Sequence, residues 1–189
     1  KAVLFNGDGY SDEWEKEAAK RGLPNYKTSP EALKAFNSEK ALKLFAKYNV
    51  LSEKESVSRY LIHLERYAKM LDIEAGSLYN IAISQILPAA MAYQKDLADS
   101  IKATADILGA DAVKEQKDLL ATVAKKIAEI KTGAETLKSV THEAHGVSGE
   151  QAHAEFFCNK VKPVMVTLRD SIDSLEKIAD NELWPLPKY

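Results

Sequence analysis

Glycine and proline are scarce, eight and six among 189 residues, too few for a fold assembled from short strands and tight turns. There is one cysteine, Cys158, which excludes an internal disulfide framework and fits a reducing, cytoplasmic setting. No apolar run approaches the roughly 20 residues that span a bilayer, so no membrane partner is expected. An excess of one charge is also missing, because 26 basic against 28 acidic residues leave a formal net charge of -2. Nothing in that balance attracts a polyanion, so no nucleic-acid partner is expected. The chain opens on Lys1 without a secretory leader, a start expected of a piece of a longer polypeptide.

What is present is helix-forming. Ala, Leu, Lys and Glu dominate, and these are the residues that lose least on entering a helix. The expected fold is mainly α: several short N-terminal helices over 1–71, then a long antiparallel three-helix bundle over 72–189 with an extended C-terminal tail.

Helix ends can be read from local chemistry. Lys1 to Phe5 form a short apolar run that could be a buried strand, stopped by the Asn6-Gly7-Asp8-Gly9 turn cluster. Ser11 is a plausible N-cap for a helix to about Arg21, with Gly22 past its end and Trp14 and Ala18 on one face. Ser29 followed by Pro30 predicts a second helix to about Phe36. Ser38 opens a third to near Tyr48, with Ala41, Leu42, Phe45 and Tyr48 as its apolar stripe. Ser52 and Glu55 form a capping box whose helix runs to about Leu71, with Val57, Leu61, Leu64, Tyr67 and Ala68 turned inward.

Three longer helices follow, at about Ile73–Leu108, Asp111–His145 and Ser148–Asp180, the last opened by a second capping box at Ser148 and Gln151. At 1.5 Å per residue each would be roughly 50 Å long. Their apolar residues alternate at spacings of three and four. The first carries Ile83, Ile86, Ala90, Tyr93, Leu97, Ile101 and Leu108, with Thr104 at one apolar place. The second carries Val113, Leu120, Val123, Ile127, Ile130, Ala134, Leu137 and Ala144, with Gln116 and Thr141 in the gaps. The third carries Ala154, Phe157, Val161, Val164, Leu168, Ile172, Leu175 and Ala179. Links of a few residues require neighbours to run antiparallel. Pro88 and Pro163 each remove an amide donor and meet the carbonyl four residues back, at Ser84 and Asn159, which predicts two proline kinks.

Candidate sites are few. His142 and His145 share a helix face, His153 follows, and Glu143, Glu150, Glu155 and Cys158 are near in sequence, all of them zinc-ligand types. No CxxC or HExxH pairing accompanies them, so ordinary helix-end residues are the favoured reading. Asn6 to Ser11 is glycine-rich and precedes a helix, as a phosphate cradle would be. It lacks the lysine and the spacing of a P-loop, and Asp8, Asp12 and Glu13 would repel phosphate, so a capping turn is favoured. Cys158 has no base partner on its own helix face and reads as a small core residue. No catalytic, cofactor-binding or metal-binding set emerges.

Longer stretches carry a resemblance. FNGDGYSDEW at Phe5–Trp14, EAAKRGLPN at Glu17–Asn25, PEAL at Pro30–Leu33 and VLSEKE with SRY through Tyr60 resemble the segment that follows the catalytic core of type III glutamine synthetases. ILPAAMAYQ at Ile86–Gln94 and KVKPVMVTLRDSIDSLE at Lys160–Glu176 resemble two proline-bearing helices of that family. The second contains a P-x-M-x-x-L-R core at Pro163, Met165, Leu168 and Arg169. LWPLPKY at Leu183–Tyr189 is similar to its near-terminal WPxPxY signature, after which the family usually has several more apolar residues. The first 70 or so residues also resemble, more faintly, the helical tail of ordinary glutamine synthetases.

The resemblance implies a C-terminal helical portion with a structural, oligomer-assembly role. The parent enzyme would join ammonia to glutamate through a γ-glutamyl phosphate, using ATP and Mg or Mn. Its partners would be the catalytic domain of the same chain and further copies in a homo-oligomer. No stretch matches the family's catalytic motifs, so no catalytic or metal residue carries over, and the fragment alone is expected to be inactive. The rival reading is an autonomous helical-bundle scaffold with no enzymatic parent. A third, a metal-binding bundle enzyme, would need a metal held by His142, His145 or His153. Off-seam apolar residues, Leu78, Ala82, Leu87, Met91 and Ile107, and the Trp184-Pro185-Leu186-Pro187 tail are expected to be contact surface.

Overall fold

The computed structural model describes residues 3–188. Among them there is no strand, and the elements are α1 (Asp12–Lys20), α2 (Ser29–Phe36), α3 (Glu39–Lys47), α4 (Glu53–Ile81), a π turn at Ala82–Ile86, α5 (Leu87–Leu108), a 3-10 turn at Ala110–Val113, α6 (Lys114–Ala144), α7 (Glu150–Phe156), a π turn at Phe157–Val161 and α8 (Lys162–Glu176). The chain divides into two compact units, the first ending at Leu64 and the second beginning at Glu65.

In the first unit the expected strand does not form: Val3 and Leu4 are about two-thirds exposed and lie outside any regular element, while Lys1 and Ala2 fall outside the described residues. Apolar character alone does not make a strand without a partner to pair with. Caps fix the short helices. Ser11 accepts the Trp14 amide at 3.3 Å, and Gly22 ends α1 at φ 70°. There the Leu23 amide returns to the Ala18 carbonyl at 2.9 Å and the Gly22 amide to Ala19 at 3.0 Å, a Schellman closure. Asn49, at φ 51°, closes α3 in the same way, with Val50 donating to Phe45 at 2.9 Å. The cap of α2 is Thr28 rather than Ser29, with its hydroxyl accepting from Glu31, which moves Pro30 one place into the first turn. The Ser52–Glu55 box forms reciprocally: the Ser52 amide donates to Glu55 Oε2 at 2.8 Å, and the Glu55 amide to Ser52 Oγ at 3.3 Å. Tyr48 and Leu61, both placed on inward stripes by their spacing, are 64% and 41% exposed.

The second unit holds the core. α4 does not stop near Leu71. It continues to Ile81 and passes through the first π turn directly into α5, because no proline interrupts 72–81 and Gly76 does not turn the chain into the left-handed region. At each internal proline the preceding turn is π. The Leu87 amide reaches Ala82 O and the Lys162 amide reaches Phe157 O, one residue further back than in an α-turn. That wider turn gives room to the ring of Pro88 or Pro163, which in α-geometry would meet the Ser84 or Asn159 carbonyl.

α6 packs against both α5 and α8. His145 reaches Asp72 at 2.9 Å and Lys138 lies over the Tyr79 ring at 5.6 Å. Seven positions down α6 thus match seven up α4, so these two helices run in opposite directions. Ile86, Ala90, Val123, Ile130, Ala134, Phe157, Val161 and Leu175 are completely buried and Leu137 and Leu168 nearly so, with Ile127 and Val164 packed against them.

Four expectations fail here for local reasons. Asp111 does not start α6, since it lies within the 3-10 turn that precedes that helix, and no side chain caps the helix start. Ser148 and Gln151 form no box: Gly149 occupies the N-cap, and Gln151 Nε2 donates to Glu155 Oε1 at 2.6 Å. Leu108 and Gln116, both assigned to the seam, stand exposed. Ala82, assigned to the outer face, is fully buried, seven positions after the buried Ala75 and in step with Ala68 and Leu71 on α4. The tail also departs from expectation. Trp184 is 7% exposed and belongs to the core with Leu186 packed beside it. Its amide donates to Asp180 O at 3.0 Å, and Lys188 Nζ donates to Ala179 O at 2.6 Å. Tyr189 of the WPxPxY signature lies outside the described residues.

Candidate functional site

The histidines do not converge. His145 forms the C-cap of α6 and its Nε2 meets Asp72 Oδ1 at 2.9 Å. His153 stands edge-on to Phe157 with ring centroids 5.1 Å apart, and His142 is exposed. Among the described residues no group of three or more His, Cys, Asp or Glu side chains is placed to hold a metal ion.

Cys158 is buried on the π turn, where its thiol hydrogen-bonds the Tyr67 phenol. Burial, then this hydrogen bond, push the Tyr67 phenol well above its ordinary range. Asp72 and Tyr67 are the partners that local reading missed. They lie 73 and 91 positions from His145 and Cys158, beyond any local spacing signal.

The Asn6–Ser11 turn consumes its own donors. Asp8 Oδ1 accepts the Tyr10 amide at 2.9 Å and the Asp8 carbonyl accepts the Ser11 hydroxyl at 2.7 Å. Gly7 is needed for packing, since a Cβ there would come within 2.7 Å of the Phe5 ring. That ring packs on Trp14 at 4.7 Å. Arg21 lies over the other aromatic partner, 5.6 Å from the Trp14 centroid, and donates to the Leu4 carbonyl at 2.6 Å.

The larger concavities are surfaces of packing type. A groove of about 740 Å³ lies between α6 and α8, floored by Ala128, Gly133 and Leu168 and edged by the hydroxyls of Thr132, Thr136 and Thr167. Gly133 lets the helices approach, since a Cβ would sit 3.2 Å from Leu168 Cδ1. Lys125, Glu129 and Ser171 also line this groove.

The family model described as the glutamine synthetase C-terminal domain matches residues 1–105. A type-3 glutamine synthetase of Dictyostelium discoideum is 36% identical over 191 residues, covering 99% of this chain and 26% of that protein. Glutamine synthetases of Bacteroides fragilis (strain YCH46) and Butyrivibrio fibrisolvens are 31% and 32% identical, over 99% and 100% of this chain and 26% and 27% of their own lengths. The chain therefore spans about a quarter of the length of these relatives.

Proposed function

The chain belongs to the glutamine synthetase C-terminal domain family, and from that premise we propose that it serves as the helical C-terminal portion of a type III enzyme, holding the catalytic part of its own polypeptide and neighbouring subunits in place. The parent protein would ligate ammonia to glutamate at the expense of ATP, with Mg or Mn, in the cytoplasm and as a homo-oligomer. One observation carries this reading: similarity runs over 99% of this chain but only 26% of the Dictyostelium protein. A separate protein that shared one module would not be expected to match end to end at such identity.

The second unit suits a scaffold. Its core is continuous and its helices are long. Met91 and Ile107 stand 59% and 82% exposed, which marks part of α5 as surface available to a neighbour.

The test uses the full polypeptide encoded by the gene. It should turn over ATP in the presence of glutamate and ammonia, whereas the 189-residue chain alone should not. Introducing Met91→Glu and Ile107→Glu in the full polypeptide should lower its mass in solution. Unchanged assembly and activity would remove the role assigned to that face, and turnover by the isolated chain would overturn the division of labour.

A further inference from the structure

Resting on that reading, we infer that α3 and the residues just after it form the seat for the rest of the parent polypeptide, with Leu44, Tyr48 and Val50 as the docking contacts. The argument begins with an imbalance. Between residues 3 and 64, Ala18, Pro30 and Leu64 are the only buried apolar side chains, whereas 65–188 contain twenty-two. Nine of the fifteen large apolar side chains that stand exposed among the described residues nevertheless fall in that first stretch. A unit of this size with so little buried surface does not compensate the entropy of ordering its own backbone.

The deficit is sharpest at α3. At 100° per residue its apolar side chains, Ala41, Leu42, Leu44, Phe45 and Tyr48, form one continuous arc rather than scattered points. α2 covers only part of that arc, through Phe36 against Phe45 at 5.3 Å. No residue of α3 is buried. Leu44 and Tyr48, one turn apart on the uncovered edge, are 53% and 64% exposed. Asn49 then turns the chain in the left-handed region at φ 51° and sets Val50 out at 62% exposure.

What covers this edge is the remainder of the same polypeptide. The curated relatives are about four times as long as the segment matched here, since this chain accounts for 26% of the Dictyostelium protein. The seat also lies within residues 1–105, the span that the family model matches. A surface serving the catalytic part belongs in that shared span.

Hydrogen exchange on the 189-residue chain and on the full polypeptide tests this. Amides of 39–50 should exchange at least about tenfold more slowly in the full polypeptide, while those of 127–137 change little. Equal exchange of 39–50 in both would overturn the inference. Leu44→Glu with Tyr48→Glu should leave the melting temperature of the short chain unchanged and erase the added protection in the long one. Protection of 39–50 that rises with concentration in the short chain would instead assign the seat to a second copy and overturn the proposal. If the gene encodes nothing beyond this chain, the synthetase reading itself falls, an outcome distinct from equal exchange in a longer protein.

Discussion

The two units use nearly the same residues to different ends. In 3–64, helices begin and end on well-formed caps yet bury almost nothing. In 65–188, several helix ends lack a side-chain cap, at the starts of α6 and α7 for example, yet the core is continuous. Caps contribute about 1 kcal/mol each, whereas a buried Leu or Phe contributes roughly 1.5–3 kcal/mol. Local signals thus specify where the first unit's helices lie, and tertiary packing holds the second together.

The sharpest way to break this comparison is truncation on each side. Leu168→Ala, at a site 1% exposed, should cost about 2–5 kcal/mol in urea unfolding. Leu44→Ala in the isolated chain should stay within about 0.5 kcal/mol of the parent. Equal losses would mean that the first unit has a core after all. Gly133→Leu should cost about 1–3 kcal/mol by forcing Leu168 aside, and pairing it with Leu168→Ala should recover part of that loss; strict additivity would show that the two positions do not touch.

Smaller effects come from protons. The Tyr67 phenol is raised by burial and by its hydrogen bond with Cys158. Its stabilising contribution is therefore fully present below the ordinary tyrosine value of 10.0 and is lost as pH rises from there towards the folded value. Tyr67→Phe should remove that alkaline component of unfolding, monitored by circular dichroism, and leave the acid limb unchanged. The smallest effect is expected at Glu55, which the Ser52 backbone amide and then its hydroxyl hold below the ordinary 4.5. Its contribution is present above 4.5 and lost as pH falls through the depressed value. Glu55→Gln should flatten that acid limb; an unaltered limb would rule out the box as its source.

The legibility of the fold follows the same division. Ser11, Ser38 and the Ser52–Glu55 box could be read because a capping side chain acts within three residues of itself. Ser148 and Gln151 have the same spacing and form nothing, because Gly149 took the cap and Glu155 took the glutamine. The periodic residues of α6 and α8 identified the core, since burial recurs every three to four positions along a straight helix. Ala82 was missed because its stripe is that of Ala68, Leu71 and Ala75 on α4, a helix that the local reading ended near Leu71. Trp184 looked like surface because a segment with two prolines cannot be helical, and nothing local tells a tail that leaves from one that folds back. For the candidate sites, the sequence supplied the side chains of His145 and Cys158, while Asp72 and Tyr67 became their partners only through pairing of distant helices.

The two π turns tie length to composition. Each houses one residue more than the α-turn it replaces, in front of a proline that could not sit comfortably without it. In a descendant gene, losing one codon near Ser84 or Asn159 would bring the ring of Pro88 or Pro163 back against a carbonyl, unless that proline were exchanged as well. Codon loss and proline replacement should therefore travel together through the lineage, and the reverse pair of events, a codon gained alongside a new proline, is the route by which such a helix could have arisen.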